Sequence, residues 1–481
     1  MKVVEIRGYQ LGFAPAPAIG NARTMIRRRD FMLVELVADT GARGWGEVFS
    51  SPAAAAALVR TRLSGLVLGA SPHHHGHLYE AMLGTLGYGR RGPGMMAISA
   101  LDMALHDLAA QDRGTSVAEM LGGAQRDALP AYASAPFITE AADPCGHYKA
   151  EVNAILRRGF RAVKPRAGVS PRADGAMALA MRRQVGPDIA IMVDINQGYT
   201  ARAAIESARR MEDAGLLWIE EPVQAEDIAG YAVISAAVPT AIAGGEALGS
   251  LAAFRDILAA GAMSILQPDL TVCGGYTGFL RIAALAAAYD LPVMPHVFGT
   301  VVNMRAALQA AALVPARRGG GPAAYPWIEY DASVNPLLDV AGALPVRPGG
   351  TVEVPVAPGT GLERGCSAAA CPGRPPARPG RDQRGAQRPL PRCAGGRGKR
   401  LSRLLRFRLD RALGARRPAA GNHGQARTAV AEALRDPQIR ERFAAGGYIP
   451  GDRGPAEYTR FIEAEIAKWG QVTRGLGITL E

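Results

Sequence analysis

Residues 216–224 read LLWIEEPVQ. An apolar run from Leu216 to Ile219 leads into two adjacent carboxylates, Glu220 and Glu221, and a proline follows at once. An apolar run of this length that stops at a proline reads as a buried strand of a parallel sheet. A desolvated carboxylate is costly unless something cationic meets it. The stretch therefore asks for a cation at the end of a strand.

The same unit recurs on both sides of it. Between about residues 126 and 330, apolar strands end in polar residues, pass into helix-period stretches and begin again. The strands read AYASAP (131–136), AVKPRAG (162–168), IAIMVDINQ (189–197), LLWIEEP (216–222), AIAGGE (241–246), MSILQPDL (263–270), LPVMPHVF (291–298) and PWIEYD (326–331). Helical runs such as TARAAIESARRMEDAG and LAAFRDILAAG close on a glycine suited to a helix C-cap. Eight β-α units of this length indicate a closed parallel barrel of the TIM type. An open doubly wound sheet would want a Gly-rich phosphate turn after its first strand, and none stands there.

The expected organisation is α/β. Residues 1–125 form an N-terminal α+β capping domain, with antiparallel strands in KVVEIRGYQLGF and RDFMLVELVADTGARGWGEVFS and a long buried helix in GMMAISALDMALHDLAAQDRG. Residues 126–330 form the barrel, and 331–363 a return segment to the cap. The net charge of +12 is unevenly spread: 17 of the 55 Lys+Arg and two of the 43 Asp+Glu fall in residues 364–427, which leaves 38 against 41 elsewhere. That Arg/Pro/Gly-rich segment buries too little apolar surface to fold and is expected to be disordered. Residues 428–481 read as a short helical tail. A basic tail binds nucleic acid only non-specifically, so no specific nucleic-acid partner is expected. The start of the chain shows no secretory h-region, no apolar run reaches membrane-spanning length, and five scattered cysteines fit a reduced compartment. A cytoplasmic enzyme without membrane attachment is the expectation.

In such a barrel, side chains at the carboxyl ends of the strands converge on one mouth. Those ends carry Lys164 and Arg166, Asp194 and Asn196, Glu220, Glu246, Asp269, His296 and Glu329. Asp194, Glu220 and Glu246 recur every 26 residues, one unit each time, and are expected at one height on three neighbouring strands. Taken singly, each acid could equally N-cap the next helix. Three in one register would repel one another unless a hard divalent cation joined them, and all-oxygen ligands point to Mg²⁺. Glu221 should point away from Glu220 and contact a Lys, an Arg or another supporting group.

The stretches AVKPRAG, IMVDINQGYT, LLWIEEPV, AIAGGEALGS, ILQPDLTVCGG and VMPHVFGT resemble the successive barrel strands of the enolase superfamily, in its mandelate racemase and muconate lactonizing branch. SALDMALHDLAA, with GPG before it, is similar to the capping-domain helix of that branch. The resemblance spans roughly residues 1–363. It implies Mg²⁺-assisted removal of the proton next to a carboxylate. The family's metal ligands fall on Asp194, Glu220 and Glu246, its His–Asp base pair on His296 and Asp269, and its second-strand cationic pair on Lys164 and Arg166.

One departure matters. The branch often has Lys-x-Lys on the second strand, with the second lysine as a base on the opposite face of the substrate. Here Arg166 takes that place, and arginine keeps its proton. A one-base enzyme follows: His296 takes the α-proton and returns it to the departing β-hydroxyl. That is dehydration of a sugar acid, an aldonate or aldarate, to a 2-keto-3-deoxy acid. Racemisation or epimerisation, with Arg166 or Lys164 as second base, is the alternative.

Asn196 is expected to support the metal or the substrate, and Glu329, if protonated, to donate a hydrogen bond to the substrate carboxylate. Arg23, Arg27 and Arg28 in the loop of the cap are candidates for meeting a polyol acid. The run HHHGH (73–77) invites a metal reading, but it sits at a helix start and is not expected to bind one. The partners expected are a small carboxylate substrate and other copies of the chain in a homo-oligomer. The last fifty residues resemble the C-terminal end of the periplasmic substrate-binding receptors of tripartite tricarboxylate transport systems. A frameshift or fusion of two neighbouring genes would account for it.

Overall fold

A computed structural model describes residues 1–319, 322–340, 344–362 and 436–437. The expected disordered segment 364–427 lies outside them, as does the tail 428–481 with its transport-receptor resemblance, except for the pair 436–437. The cap and the barrel belong to the first of two compact units, Met1–Pro376.

The cap is built on an antiparallel sheet. Val3–Phe13 pairs with Arg29–Ala38, which pairs in turn with Arg43–Val48. The helix Pro93–Asp112 lies across this sheet, buried along nearly its whole length. Two glycines of RGWGEV permit the contact. A Cβ on Gly46 would stand 1.8 Å from the carbonyl oxygen of Ala100, and one on Gly44 2.2 Å from that of Ala104. Val34, Leu36, Val48, Leu101, Leu105 and Leu108 fill the space between helix and sheet.

The barrel follows. Its first strand, Ala128–Ser134, pairs in parallel with Ala162–Lys164, and that strand with Ala190–Ile191. Val193–Asp194, Ile219–Glu220, Ile242–Gly244 and Ile265–Leu266 continue as parallel neighbours. Ile328–Asp331 returns to pair in parallel with the first strand. The strands are shorter than their apolar runs. The expected strand 291–298 is not regular: a single bridge joins Val293 to Leu266, and the chain beyond it is held by other groups. Tyr132, Met192, Trp218, Ala243, Ile265, Met294 and Trp327 fill the interior, so the barrel is plugged below its mouth.

Helix starts are written in the sequence. Ser170, Thr200, Asp227, Ser250 and Thr300 each accept a backbone N–H of the first turn of the helix they precede, as small polar residues do at N-caps. Gly215 and Gly261 take the positive φ (59° each) that ends a helical stretch. The return segment pairs Thr351–Glu353 antiparallel to the start of the first barrel strand. Thr360 then donates its N–H to Asp107 of the capping helix. No single helix among the described residues is long and apolar enough to cross a membrane.

Because the helix rests on Gly46 without space for a methyl group, Gly46→Ala is expected to destabilise the cap by about 1–3 kcal/mol, the usual range for overpacking. Denaturant unfolding measures it. An unchanged midpoint would mean that helix and strand are not in such close contact.

Candidate active site

The fourth barrel strand sets the geometry. Trp218 and Glu220 alternate inward on it, and both are buried. The Glu220 carboxylate is engaged on both oxygens. Oε1 meets the Lys164 ammonium, and Oε2 accepts from Trp218 Nε1 at 3.0 Å and from Gln267 Nε2 at 2.7 Å. Lys164 is fully buried, 2.9 Å from Glu329 and 3.9 Å from Asp194. Burial would favour its neutral form, but Glu220, Glu329 and Asp194 outweigh that and hold its pKa above the usual lysine value. Lys164 is a cation here.

Asp194 stands directly beside Glu220 in strand register. Asn196, two residues on, holds both oxygens of Asp194 through its backbone N–H (2.8 Å) and its side-chain amide (2.9 Å). Its role in this geometry is to orient Asp194.

Glu246 does not share their height. Glu220 pairs in register with Ala243, so Glu246 lies three residues past the strand position. The equal spacing of 26 residues hid this. The chain turns at Gly245, with φ 121°, and the turn swings Glu246 back over the mouth. One oxygen each from Asp194, Glu220 and Glu246 then lie within 4.8 Å of one another. Burial raises the pKa of Glu220. It also raises Glu246 to about 7, with His296 opposing and Asp194 and Glu220 adding to the rise. Two buried carboxylates and a partly exposed third that crowd one another, with only oxygen donors, suit a hard divalent cation such as Mg²⁺.

The opposite wall carries the dyad. Asp269 Oδ2 is 2.7 Å from His296 Nδ1, and Thr271 holds Oδ1 through its N–H and its hydroxyl, each at 2.7 Å. This leaves His296 Nε2 facing the mouth, 3.1 Å from Glu246. Burial disfavours the imidazolium, but Glu246, Glu329 and Asp269 outweigh it and raise the pKa well above the ordinary value. The Phe49 ring meets the imidazole edge-on at 6.2 Å.

Arg166 lies just beyond the second strand. Its Nη1 is 3.2 Å from Asp194 Oδ2, its Nη2 donates to Ser134 Oγ at 3.1 Å, and its guanidinium covers the Phe137 ring at 4.5 Å. Burial again favours loss of charge, but Asp194, Glu329, Glu220 and Glu246 raise its pKa. The guanidinium is locked as a cation.

Two expectations need correction, those for Glu329 and the loop arginines, and the one for Glu221 is narrowed. Glu329 is not a protonated donor: burial raises its pKa, but Lys164, His296 and Arg166 outweigh burial and bring it down to about 2. It is an acceptor, taking the Val297 N–H at 3.1 Å. Glu221 meets no lysine or arginine. Its carboxylate accepts from Gln197 Nε2 at 2.9 and 3.0 Å, because a backbone φ of 43° turns it out of strand alternation. Of the three loop arginines, only Arg23 reaches the rim, donating to Gln197 Oε1 at 3.1 Å; Arg27 pairs with Glu140 and Arg28 with Asp30. The histidine run has a local structural use. His73 pairs with Asp112 at 2.7 Å and His75 stacks on His106 with ring centres 3.9 Å apart.

Trp218, Gln267, Ser134 and Gln197 were not foreseen. The alternation that made Glu220 inward-facing would have found Trp218. Gln267 stands two residues before Asp269, and no spacing rule distinguishes it.

Residues 13–122 match the family model for the mandelate racemase / muconate lactonizing enzyme N-terminal domain, and residues 147–364 that for the enolase C-terminal domain-like family. The chain is 34% identical to a D-galactarolactone cycloisomerase of Agrobacterium fabrum, over 76% of this chain and 96% of the relative. It is 30% identical to an L-talarate/galactarate dehydratase of Salmonella typhimurium, over 68% and 81%. Other relatives are named as dehydratases of galactonate, arabinonate and gluconate. The crystal structure of a racemase from Streptomyces coelicolor with bound magnesium superposes with a TM-score of 0.68 at 28% identity, covering 75% of this chain and 97% of that one. The chain belongs to the enolase superfamily, in its mandelate racemase and muconate lactonizing enzyme branch.

Proposed function

We propose that the protein is a Mg²⁺-dependent dehydratase of a sugar acid. The observation that carries the reading is the asymmetry of the two walls. One wall holds an imidazole nitrogen backed by a carboxylate. The other holds Arg166, which Asp194 and Ser134 fix in place and the surrounding carboxylates keep charged. Proton removal can then occur on one face only, which suits elimination better than racemisation.

Asp194, Glu220 and Glu246 would hold the ion. Bound there, it supplies positive charge to the substrate carboxylate as the neighbouring proton leaves. Lys164 adds a second fixed charge on the same side, in place before the reaction begins. Asp269 fixes the imidazole with its proton on Nδ1; with Glu246 engaged by the ion, the carboxylate that most favours the imidazolium would be taken up, and Nε2 would be free to accept the α-proton. The same Nε2–H then stands where a departing β-oxygen can take the proton up. Elimination of a hydroxyl gives an enol, which ketonises to a 2-keto-3-deoxy acid. Phe49 packs edge-on against the His296 ring, and Phe298 and Phe137 continue the aromatic contact away from it.

A second reading shares the first step. The cycloisomerase relative, matched along nearly its whole length, supports a substrate whose β-oxygen belongs to a ring. Ring opening would then replace loss of water.

An acid-sugar library that contains aldonates, aldarates and their lactones tests both readings. Formation of 2-keto-3-deoxy acids is expected. Racemisation of an α-substituted acid, with no keto product, would overturn the elimination reading. Glu220→Gln is expected to abolish turnover and weaken Mg²⁺ binding by calorimetry while leaving the unfolding midpoint near that of the parent. Full turnover with a chelator present would refute the metal assignment. In D₂O the product should carry deuterium at C3. His296→Asn should lose α-proton exchange completely and Asp269→Asn most of it. Exchange at the parent rate in His296→Asn would transfer the base role to Lys164 or Arg166.

A further inference from the structure

The segment that carries His296 is held weakly by the sheet. Met294 donates to Leu266 O at 3.0 Å and His296 to Pro268 O at 3.3 Å. Beyond Val297, groups of the cap take over much of the hold. Arg29, buried on the middle strand of the cap, donates to Phe298 O and pairs with Asp331, each at 2.7 Å. Its guanidinium lies over the Phe298 ring at 3.7 Å.

The stronger hold comes from Glu47, on the last strand of the cap. Its carboxylate is fully buried and no cation meets it. It accepts instead from Thr300 N (3.0 and 3.1 Å), Thr300 Oγ1 (2.5 Å) and Asn303 N (3.0 Å). These donors belong to the start of the helix Val301–Leu313, where free N–H groups favour a negative charge. Burial raises its pKa to about 7, opposed by the bonds from Thr300 and Asn303. A Cβ on Gly299 would stand 2.3 Å from Glu47 Oε1, so a glycine at that position lets the carboxylate approach. Asn303 then reaches from the same turn to Asp269 Oδ1 at 3.5 Å. Two residues after Glu47, Phe49 meets the His296 ring.

We infer that Glu47 is a positioning residue for the reaction: the carboxylate of the cap fixes the Thr300–Asn303 turn, and through it the orientation of the Asp269–His296 dyad. The base would reach its working geometry only with the cap strand in place. The inference rests on the reading of His296 as the base.

Glu47→Gln keeps the shape but places an amide NH₂ among donors. On a sugar acid turned over by the parent, kcat is expected to fall 10- to 100-fold with KM within twofold. In an Asp269→Asn background, where the dyad is already disturbed, the same substitution should cost less than twofold. A structural effect on the fold would instead multiply with Asp269→Asn, and that result, or an unchanged kcat, overturns the inference. Asn303→Ala, which leaves Glu47 and its backbone contacts in place, is the second variant should Glu47→Gln unfold. It should show the same loss and the same non-additivity.

A readout without substrate separates this inference from the proposed activity. The low-field proton resonance of His296 Nδ1–H, assigned by its loss in His296→Asn, should shift in Glu47→Gln and in Asn303→Ala. If no sugar acid is turned over but the resonance moves, the coupling stands and the activity reading falls. If the resonance is unmoved in both variants, the coupling is wrong.

Discussion

The structure depends on carboxylate repulsion held in check inside a plugged barrel. Asp194, Glu220, Glu221, Glu246, Asp269 and Glu329 converge at one mouth, against Lys164, Arg166 and His296. Buried like charges are costly, and each here has a specific remedy. Glu220 takes Lys164, Trp218 and Gln267; Asp194 takes Asn196 and Arg166; Asp269 takes Thr271 and His296. Glu246 has His296 beside it at 3.1 Å, and it completes the triad of oxygens suited to a divalent ion. A site left acidic in this way gains from a dication and, once it holds one, from an anionic substrate.

The balance also decides proton chemistry. Lys164 and Arg166 lie among carboxylates that hold their protons, so neither offers itself as a base. Glu329 is pulled the other way by the same cations and becomes an acceptor. Only His296 has a nitrogen toward the mouth and a partner that fixes the tautomer from behind. The one-sided proton removal that we propose therefore rests on how charges are paired around the mouth, beyond the identity of any single residue.

The cap contributes more than cover. Its last strand lays Gly44 and Gly46 against the capping helix and Glu47 against the start of a barrel helix, and just past the strand Phe49 meets the imidazole. Arg29 from the neighbouring strand holds Phe298 O and Asp331. The irregular seventh barrel segment, which has little ladder of its own, takes its shape from these groups.

Much of this was legible in the chain. Apolar runs and helix-period stretches placed the barrel units, glycines marked helix ends, and acids at strand ends marked the mouth. Those signals are local, because strand alternation and capping act within a few residues. What the sequence could not decide was height, charge state and partnership. Equal spacing put Glu246 level with Glu220, whereas the turn at Gly245 sets it three residues beyond. Alternation pointed Glu221 away from Glu220, toward a Lys, an Arg or another supporting group, whereas a positive φ turned it to Gln197. Glu329 could be read as a proton donor until Lys164, Arg166 and His296 were seen around it. Glu47, far along the chain from His296, carries no signal in the sequence that links it to the dyad. Positions of this kind depend on which distant groups share a low-dielectric space, and only the folded chain brings those groups together.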